Sequence, residues 1–370
     1  MSRSLVIHVG AQKCASSSLQ ASLRLVHQAL KGRLGFCFLN PAELRAVDAA
    51  IAKQKEDTFG YIDQVLSRQT ADQVVISHEM LGNRPGLVSA IAERALGTFC
   101  FDRVVISGYT RLQSSYHVSA FAQWFFRDRK RLISDVKLFR RLDLPWRKFT
   151  AQERSLFALA FLGKDRSWFS NYKRFSAGVK GISDRVRVVS SHIPTRQLPF
   201  SLLRHFVEST GLDLGLDDFS EMDVRKNQSF HSVVIHGVSS FSSELPAGCQ
   251  SFLPGPHEGN RWLFRVCDRL AGHPDVMNEF EDLFSPLFER SLLNHLDCRT
   301  AADNKQYCDL MSVDQRYFQP MPGAVVMTEG ELKDLACQIA NDRRLKDIQE
   351  FNRSIENAFF VAARSEIIST

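Results

Sequence analysis

The chain has 370 residues, 44% of them hydrophobic, and 47 Lys and Arg stand against 41 Asp and Glu for a net charge of +6. That is enough apolar material for one large domain or two modest ones, while the charge suits an anionic ligand and is too diffuse for a nucleic-acid-binding protein. Eight cysteines without a Cys-x-x-Cys pair remove the usual zinc and redox patterns, and no run approaches the roughly 18 apolar residues of a membrane span.

The first predicted element is Leu5-Val6-Ile7-His8-Val9, a short β-branched run that reads as a buried strand. Gly10 breaks it. Ser16, Ser17 and Ser18 can cap a helix whose apolar pattern continues through Leu19, Leu23 and Val26. Strand, tight loop and helix start form the architecture of a phosphate site, because a helix N-terminus offers N–H groups and a partial positive charge. Lys13 adds a full charge inside the turn. A Walker loop would need Gly-Lys-Ser/Thr, which is absent, and Lys13 comes too early to bridge β- and γ-phosphates. The plain alternative is the buried first strand of any α/β fold.

Leu34 to Leu39 can form a short strand, and residues 42–70 read as helical. The next firm strand lies within 72–79 and ends in Ser77-His78-Glu79, polar residues where open α/β sheets place their chemistry. Gly82, Pro85 and Gly86 read as the following loop. A further strand over 102–109 leads through Arg111 into a helix. Ser119 lies eight residues beyond Arg111, about two helical turns along, so the pair can converge on one anion.

The segments at 10–20 and 104–121 together resemble the sulfotransferase family, the P-loop-like enzymes that use 3′-phosphoadenosine-5′-phosphosulfate (PAPS), particularly the bacterial carbohydrate type. Lys13-Cys14-Ala15-Ser16-Ser17 stands where that family carries its Lys-Thr-Gly-Thr-Thr/Ser loop for the 5′-phosphosulfate, with Ser18 continuing it. Arg111 and Ser119 fall on the pair that binds the 3′-phosphate, and Ser77-His78-Glu79 is similar to a Ser-x-Glu feature of the same group. The resemblance implies an α/β, P-loop-like three-layer fold with a central, mostly parallel sheet. It implies PAPS binding by Gln12, Lys13, Cys14, Ala15, Ser16, Ser17, Ser18, Arg111 and Ser119, and no metal. Cys14 and Ala15 replace Thr and Gly; the loss of Gly matters if that position needs a positive φ.

The stretch 124–154 carries Arg127, Arg129, Lys130, Arg131, Arg140, Arg141, Arg147 and Lys148 among aromatic residues. It reads either as a solvated helical face or as one wall of an acceptor cleft for an acidic substrate. Residues 155–178 read as one helix with a core stripe of Trp168, Phe169, Tyr172 and Phe175. Residues 185–189 read as a strand, and Ser201 to Ser209 as a helix ended by Gly211. Arg225 and Lys226 lie where sulfotransferases close a loop over the 3′-phosphate, although the usual Gly is missing. His231 and His236 fall on the next helix, with no partners at metal-ligand spacing.

The texture changes at about 242, where a Pro- and Gly-rich loop begins, followed by amphipathic helices near 260–272, 275–297 and 330–363. The expected organisation is a nucleotide-binding core over 1–241 and a loop-plus-helical extension over 242–370 packed on it. No apolar leader precedes the first strand, and the expectation is a cytoplasmic protein of a reducing compartment with no nucleic-acid partner. Its oligomeric state is left open.

The implied reaction moves a sulfuryl group from PAPS to a hydroxyl or amine of a small molecule or glycan. Lys13 would stabilise the leaving phosphate. Glu79 or His78 would take the acceptor proton; His8 and His27 are read as structural. Two other classes stay in play: a P-loop nucleotide kinase or NTPase, and a nucleotide-binding relative without activity.

Overall fold

The computed structural model describes residues 2–10, 14–30, 36–39, 58–193, 200–214, 220–224, 232–244, 274–284 and 286–367. Five strands, β1 (Ser4–His8), β2 (Phe36–Leu39), β3 (Gln73–Ser77), β4 (Arg103–Thr110) and β5 (Val186–His192), form one sheet. Every pairing is parallel and the order is β2-β3-β1-β4-β5. Parallel strands need both faces covered, which is why the central ones read as unbroken apolar runs. All five residues of β1 are buried.

Side chains alternate across the sheet. Leu5, Ile7, Val74, Ile76, Val104 and Ile106 join one core, packed against Val88, Ile91, Ala92 and Ala95 of the helix Pro85–Gly97 and Phe175 and Val179 of Trp168–Val179. His8 points to the other face and its ring meets Phe206 of the helix Leu202–Thr210, which in turn contacts the first helix, Ser16–Ala29. Helix, sheet, helix is the three-layer α/β arrangement expected from the sequence.

The chain divides into two compact units that interleave along it. The first comprises 1–112, 167–227 and 301–319, and the second 113–166, 228–300 and 320–370. The composition change at 242 is not one of their boundaries. The helix Ala301–Met311, within the predicted extension, belongs to the sheet-bearing unit and contacts Trp168–Val179 and β5. The second unit is helical. Phe139, Phe149, Phe157, Phe288, Leu292 and Ala336 are among the residues of its main core.

Several element boundaries differ from the sequence reading. The run 155–178 is two helices, Ala151–Leu162 and Trp168–Val179. Gly163 at φ +63° ends the first, and the Ser167 side chain caps the second. Pro85 and Gly86 open a helix instead of extending a loop, since proline is well suited to a first helical position. Residues 275–297 hold two helices, Pro274–Leu283 and Leu287–Arg299, with Pro286 as the N-cap of the second. The C-terminal run likewise divides into Glu329–Asp342 and Leu345–Ile367. Within the predicted 42–70 helix, Thr58–Ser67 is helical and 42–57 lies outside the described residues, as does 260–272. No helix among the described residues is long and apolar enough to cross a membrane.

Candidate functional site

The connections leaving β1 and β4 run to opposite sides of the sheet, toward β2 and β5. This makes the β1–β4 pair a topological switch point, and open α/β sheets bind ligands outside the carboxyl ends of their strands at such a point. The 10–16 loop and Arg111 both leave the sheet there.

The loop after β1 is tightly built. The Val9 N–H donates to the Ser107 carbonyl at 2.8 Å, continuing the β1–β4 pairing. A Cβ on Gly10 would collide with the Ser16 hydroxyl and stand 2.8 Å from the His8 ring. Ala15, the N-cap of the first helix, has φ +61° and ψ 14° and makes no side-chain capping bond. The position therefore does need a left-handed backbone, and alanine occupies it where the sulfotransferase-type loop it resembles would carry glycine. The three serines are the first three helical residues, not the cap. Ser16 and Ser18 are buried, Ser17 is half-buried, and Cys14 is fully buried. Gln12 and Lys13 lie outside the described residues, as do Arg225, Lys226 and His231.

The end of β3 comes to the same place. The His78 N–H donates to the His8 carbonyl at 3.2 Å. Glu79 opens a short 3-10 turn, Glu79–Asn83, and a Cβ on its Gly82 would stand 2.7 Å from the Val9 carbonyl oxygen and 3.0 Å from that of Gly10. The turn carrying Glu79 thus lies directly against the loop after β1. His78 is 5% exposed, whereas Glu79 is only half-buried. Glu79 is thus the more exposed of the two.

Beneath the loop, His8 Nδ1 shares a hydrogen bond with Ser77 Oγ at 2.7 Å, and Gln20 Nε2 donates to the same hydroxyl at 3.1 Å. Burial lowers the His8 pKa to about 4, so the ring is neutral. Its Nε2 is buried without a hydrogen-bond partner. The structural reading of His8 therefore holds, but its link to Ser77 and Gln20 was not legible in the sequence.

At the ends of β4 and β5 the polar groups divide in two. Thr110 Oγ1 donates to the Tyr307 hydroxyl at 3.1 Å, and Ser190 Oγ lies 2.7 Å from it, so these three satisfy one another. Arg111 is different. Its backbone carbonyl accepts from Trp168 Nε1 at 2.8 Å, which fixes the main chain. Its side-chain Nε is buried with no hydrogen-bond partner, and among the described residues no carboxylate pairs with it. Beside it is His192, 1% exposed, with both ring nitrogens unpartnered. The ring centroid of Phe318 is 4.0 Å from that of His192, and Tyr317 stacks at 5.6 Å. Burial and then the Arg111 charge lower the His192 pKa to about 3.

Sequence reasoning missed His192 because it ended the strand at Val189. The strand continues through Ser190 and Ser191 to His192, before the proline at 194. Ser119 lies on the helix Gln113–Phe121 in the second unit and is half-buried.

The basic stretch in the second unit is largely occupied with structure. Arg154 donates to the carbonyls of Trp146 and Phe149 at 3.1 and 2.5 Å, and Lys148 to that of Ala340 at 2.6 Å. Arg140 and Arg147 stand over the Trp146 ring. These contacts favour the structural reading for those residues over an acceptor wall. Among the described residues, no group of three His, Cys, Asp or Glu side chains is placed to hold a metal ion.

Compared with known proteins, the chain matches no family model, no curated protein and no solved structure.

Proposed function

We propose that the chain is a PAPS-dependent sulfotransferase acting on a hydroxyl or amine, of a carbohydrate or glycolipid in the reading that its resemblance to the bacterial carbohydrate type favours. The observation that carries this is the Arg111 guanidinium, held at the switch point with a buried nitrogen, Nε, that no group among the described residues satisfies. A buried donor of a charged group left unsatisfied is costly, and it points to an anion as its missing partner. Arg111 stands at the position that its sequence context assigns to a 3′-phosphate.

PAPS supplies the sulfuryl group, and adenosine 3′,5′-bisphosphate leaves as the sulfur–oxygen bond breaks. The chain's own part is positioning and electrostatics, as in phosphoryl transfer. The first helix presents its N-terminal N–H groups toward the 5′ end, and Lys13 neutralises charge developing on the leaving oxygen. Glu79 accepts the acceptor's proton as its oxygen bonds to sulfur. The sequence resemblance assigns the 3′-phosphate to Arg111 and Ser119, and the loop that closes over it to Arg225 and Lys226. A cytoplasmic location belongs to the same reading.

The test is ligand discrimination. Adenosine 3′,5′-bisphosphate should raise the melting temperature well beyond ADP, because charge-assisted hydrogen bonds are worth roughly 1.5–3 kcal/mol each. Equal stabilisation by both removes the 3′-phosphate assignment and favours a kinase-like site. Labelled PAPS offered with acidic glycans, glycolipids and phenols should then transfer label. Tight binding of the bisphosphate without transfer would mark a non-catalytic relative.

A further inference from the structure

His117 lies on the helix Gln113–Phe121 of the second unit, and both its ring nitrogens are buried without a hydrogen-bond partner among the described residues. Nothing in the proposed reaction uses it. Three guanidinium groups act on it: Arg131 from the helix Arg129–Arg141, Arg166 from the following connection and Arg299 from Leu287–Arg299. Among the described residues, Asp165 is the carboxylate whose charge acts on it. That carboxylate is already taken, because Arg299 donates to both of its oxygens at 2.6 Å.

Arg166 donates to the Tyr116 hydroxyl at 2.9 Å and stands over that ring. Arg131 donates from Nε to Ser155 Oγ at 3.2 Å, covers the Phe125 ring at 3.8 Å and forms no ion pair among the described residues. The other charged groups nearby do not fill this gap. Asp128 caps its own helix by accepting from the Arg131 backbone N–H. Asp135 is buried, which raises its pKa to about 6 against the pull of Arg131 and Arg154, but among the described residues its Oδ2 has no hydrogen-bond partner and it forms no ion pair with Arg131. Asp297 is turned to Ser114.

An imidazole with two unsatisfied nitrogens inside a ring of positive charge is an arrangement that lacks an anion. We propose that His117, Arg131 and Arg166 form an oxyanion-binding site for a sulfate or carboxylate group. The site is built wholly within the second unit, apart from the nucleotide site assigned to Arg111. His117, Arg131 and Arg166 are half-buried, so each keeps some exposed surface. Arg131 and Arg166 supply charge-assisted donors. His117 supplies another once protonated, and a bound anion favours that form.

The test uses the full chain with ¹³C-labelled histidine, titrated with sodium sulfate at constant ionic strength. The His117 Cε1–H signal should shift saturably, and its titration midpoint should rise from about 4. By linkage, sulfate should bind more tightly as pH falls. Arg131→Gln should weaken sulfate binding about ten-fold or more, the loss expected of a charged hydrogen bond. Arg111→Gln should leave the His117 response intact, which separates this site from the nucleotide reading. The signal is assigned by its loss in His117→Gln or, should that variant not fold, by its contact with Tyr116, whose ring centroid is 5.3 Å away. No sulfate-dependent shift at His117, or an equal shift in Arg131→Gln, would overturn the site.

Discussion

The two ends of the one parallel sheet handle charge in opposite ways. At the amino end, Arg3 donates to the carbonyls of Phe99 and Gln69 at 2.7 and 2.6 Å and stands over the Phe101 ring. Its backbone N–H bonds Asp102, and Arg103 donates to the Gly211 carbonyl. At the carboxyl end, Arg111 Nε, His8 Nε2 and both nitrogens of His192 have no hydrogen-bond partner among the described residues. Hydrogen bonds to charged groups stabilise a fold, and a buried polar group left unpaired opposes it. The amino end, where among the described residues only the Ser4 hydroxyl is left unpartnered, is therefore arranged mainly for stability. The carboxyl end accepts a cost in stability at the place where an α/β sheet binds its ligand.

The largest effect should come from the chemistry at that carboxyl end. Glu79→Gln keeps shape and removes the proposed base, so turnover on an alcohol acceptor should fall roughly 10²–10⁴-fold. Affinity for adenosine 3′,5′-bisphosphate, read by calorimetry, should barely change. Retained turnover would return Glu79 to a structural role and make His78→Ala the next variant to assay.

Acidification should separate the sheet from the helical unit. His8 and His192 have folded pKa values lowered by burial to about 4 and about 3. Groups lowered in this way contribute stability that is fully present above the unfolded value near 6.5 and is lost as pH falls toward the folded value. In the second unit His117 and His236 are likewise lowered to about 4 by burial, but Asp135 and Asp297 are raised by it to about 6. Raised carboxyls act the other way, losing stability as pH rises through 6 and regaining it as pH falls. Amide exchange protection in β1 and β5, corrected for intrinsic rates, should therefore drop more steeply from pH 7 to 5 than in Ala151–Leu162 and Glu329–Asp342. Parallel slopes in both units would sink this expectation.

A matched pair of substitutions sharpens the contrast between the ends of the sheet. Arg3→Met should cost about 2–3 kcal/mol of unfolding free energy by denaturant titration, from the lost charged bonds, and leave ligand affinity unchanged. Arg111→Gln should leave stability unchanged or slightly raised and weaken adenosine 3′,5′-bisphosphate by about 1.5–3 kcal/mol. If Arg111→Gln destabilises as Arg3→Met does, the two ends are alike and the carboxyl end loses its distinction.

The smallest effect concerns Ala15. A left-handed backbone costs an L-residue roughly 1–2 kcal/mol, partly offset on substitution by the larger unfolded-state entropy of glycine. Ala15→Gly should therefore raise stability by at most about 1 kcal/mol, seen as a modest increase in melting temperature. A decrease would mean that the alanine side chain makes contacts worth more than the strain.

The strands were legible because burial on both faces demands continuous β-branched runs, as in Val74-Val75-Ile76 and Val104-Val105-Ile106. The end of β5 was not, because Ser190, Ser191 and His192 are polar and strand only by pairing with Gly108, Tyr109 and Thr110. The helix break at Gly163 was missed because apolar spacing continues across it. Arg111 was visible as a residue, but its lack of a partner was not. Being unpaired is a property of everything that surrounds a side chain.

By itself the sequence determined the α/β class, the loop at 10–16 and the candidate residues Arg111 and Glu79, because local periodicity and short motifs are written in neighbouring residues. Only the tertiary structure decided which polar groups are satisfied. Tyr307 reaches Thr110 across 197 positions, Ala15 is left-handed, and His192 stands next to Arg111. Hydrogen bonding and desolvation depend on distances in space, and those distances are set by how the sheet and helices pack.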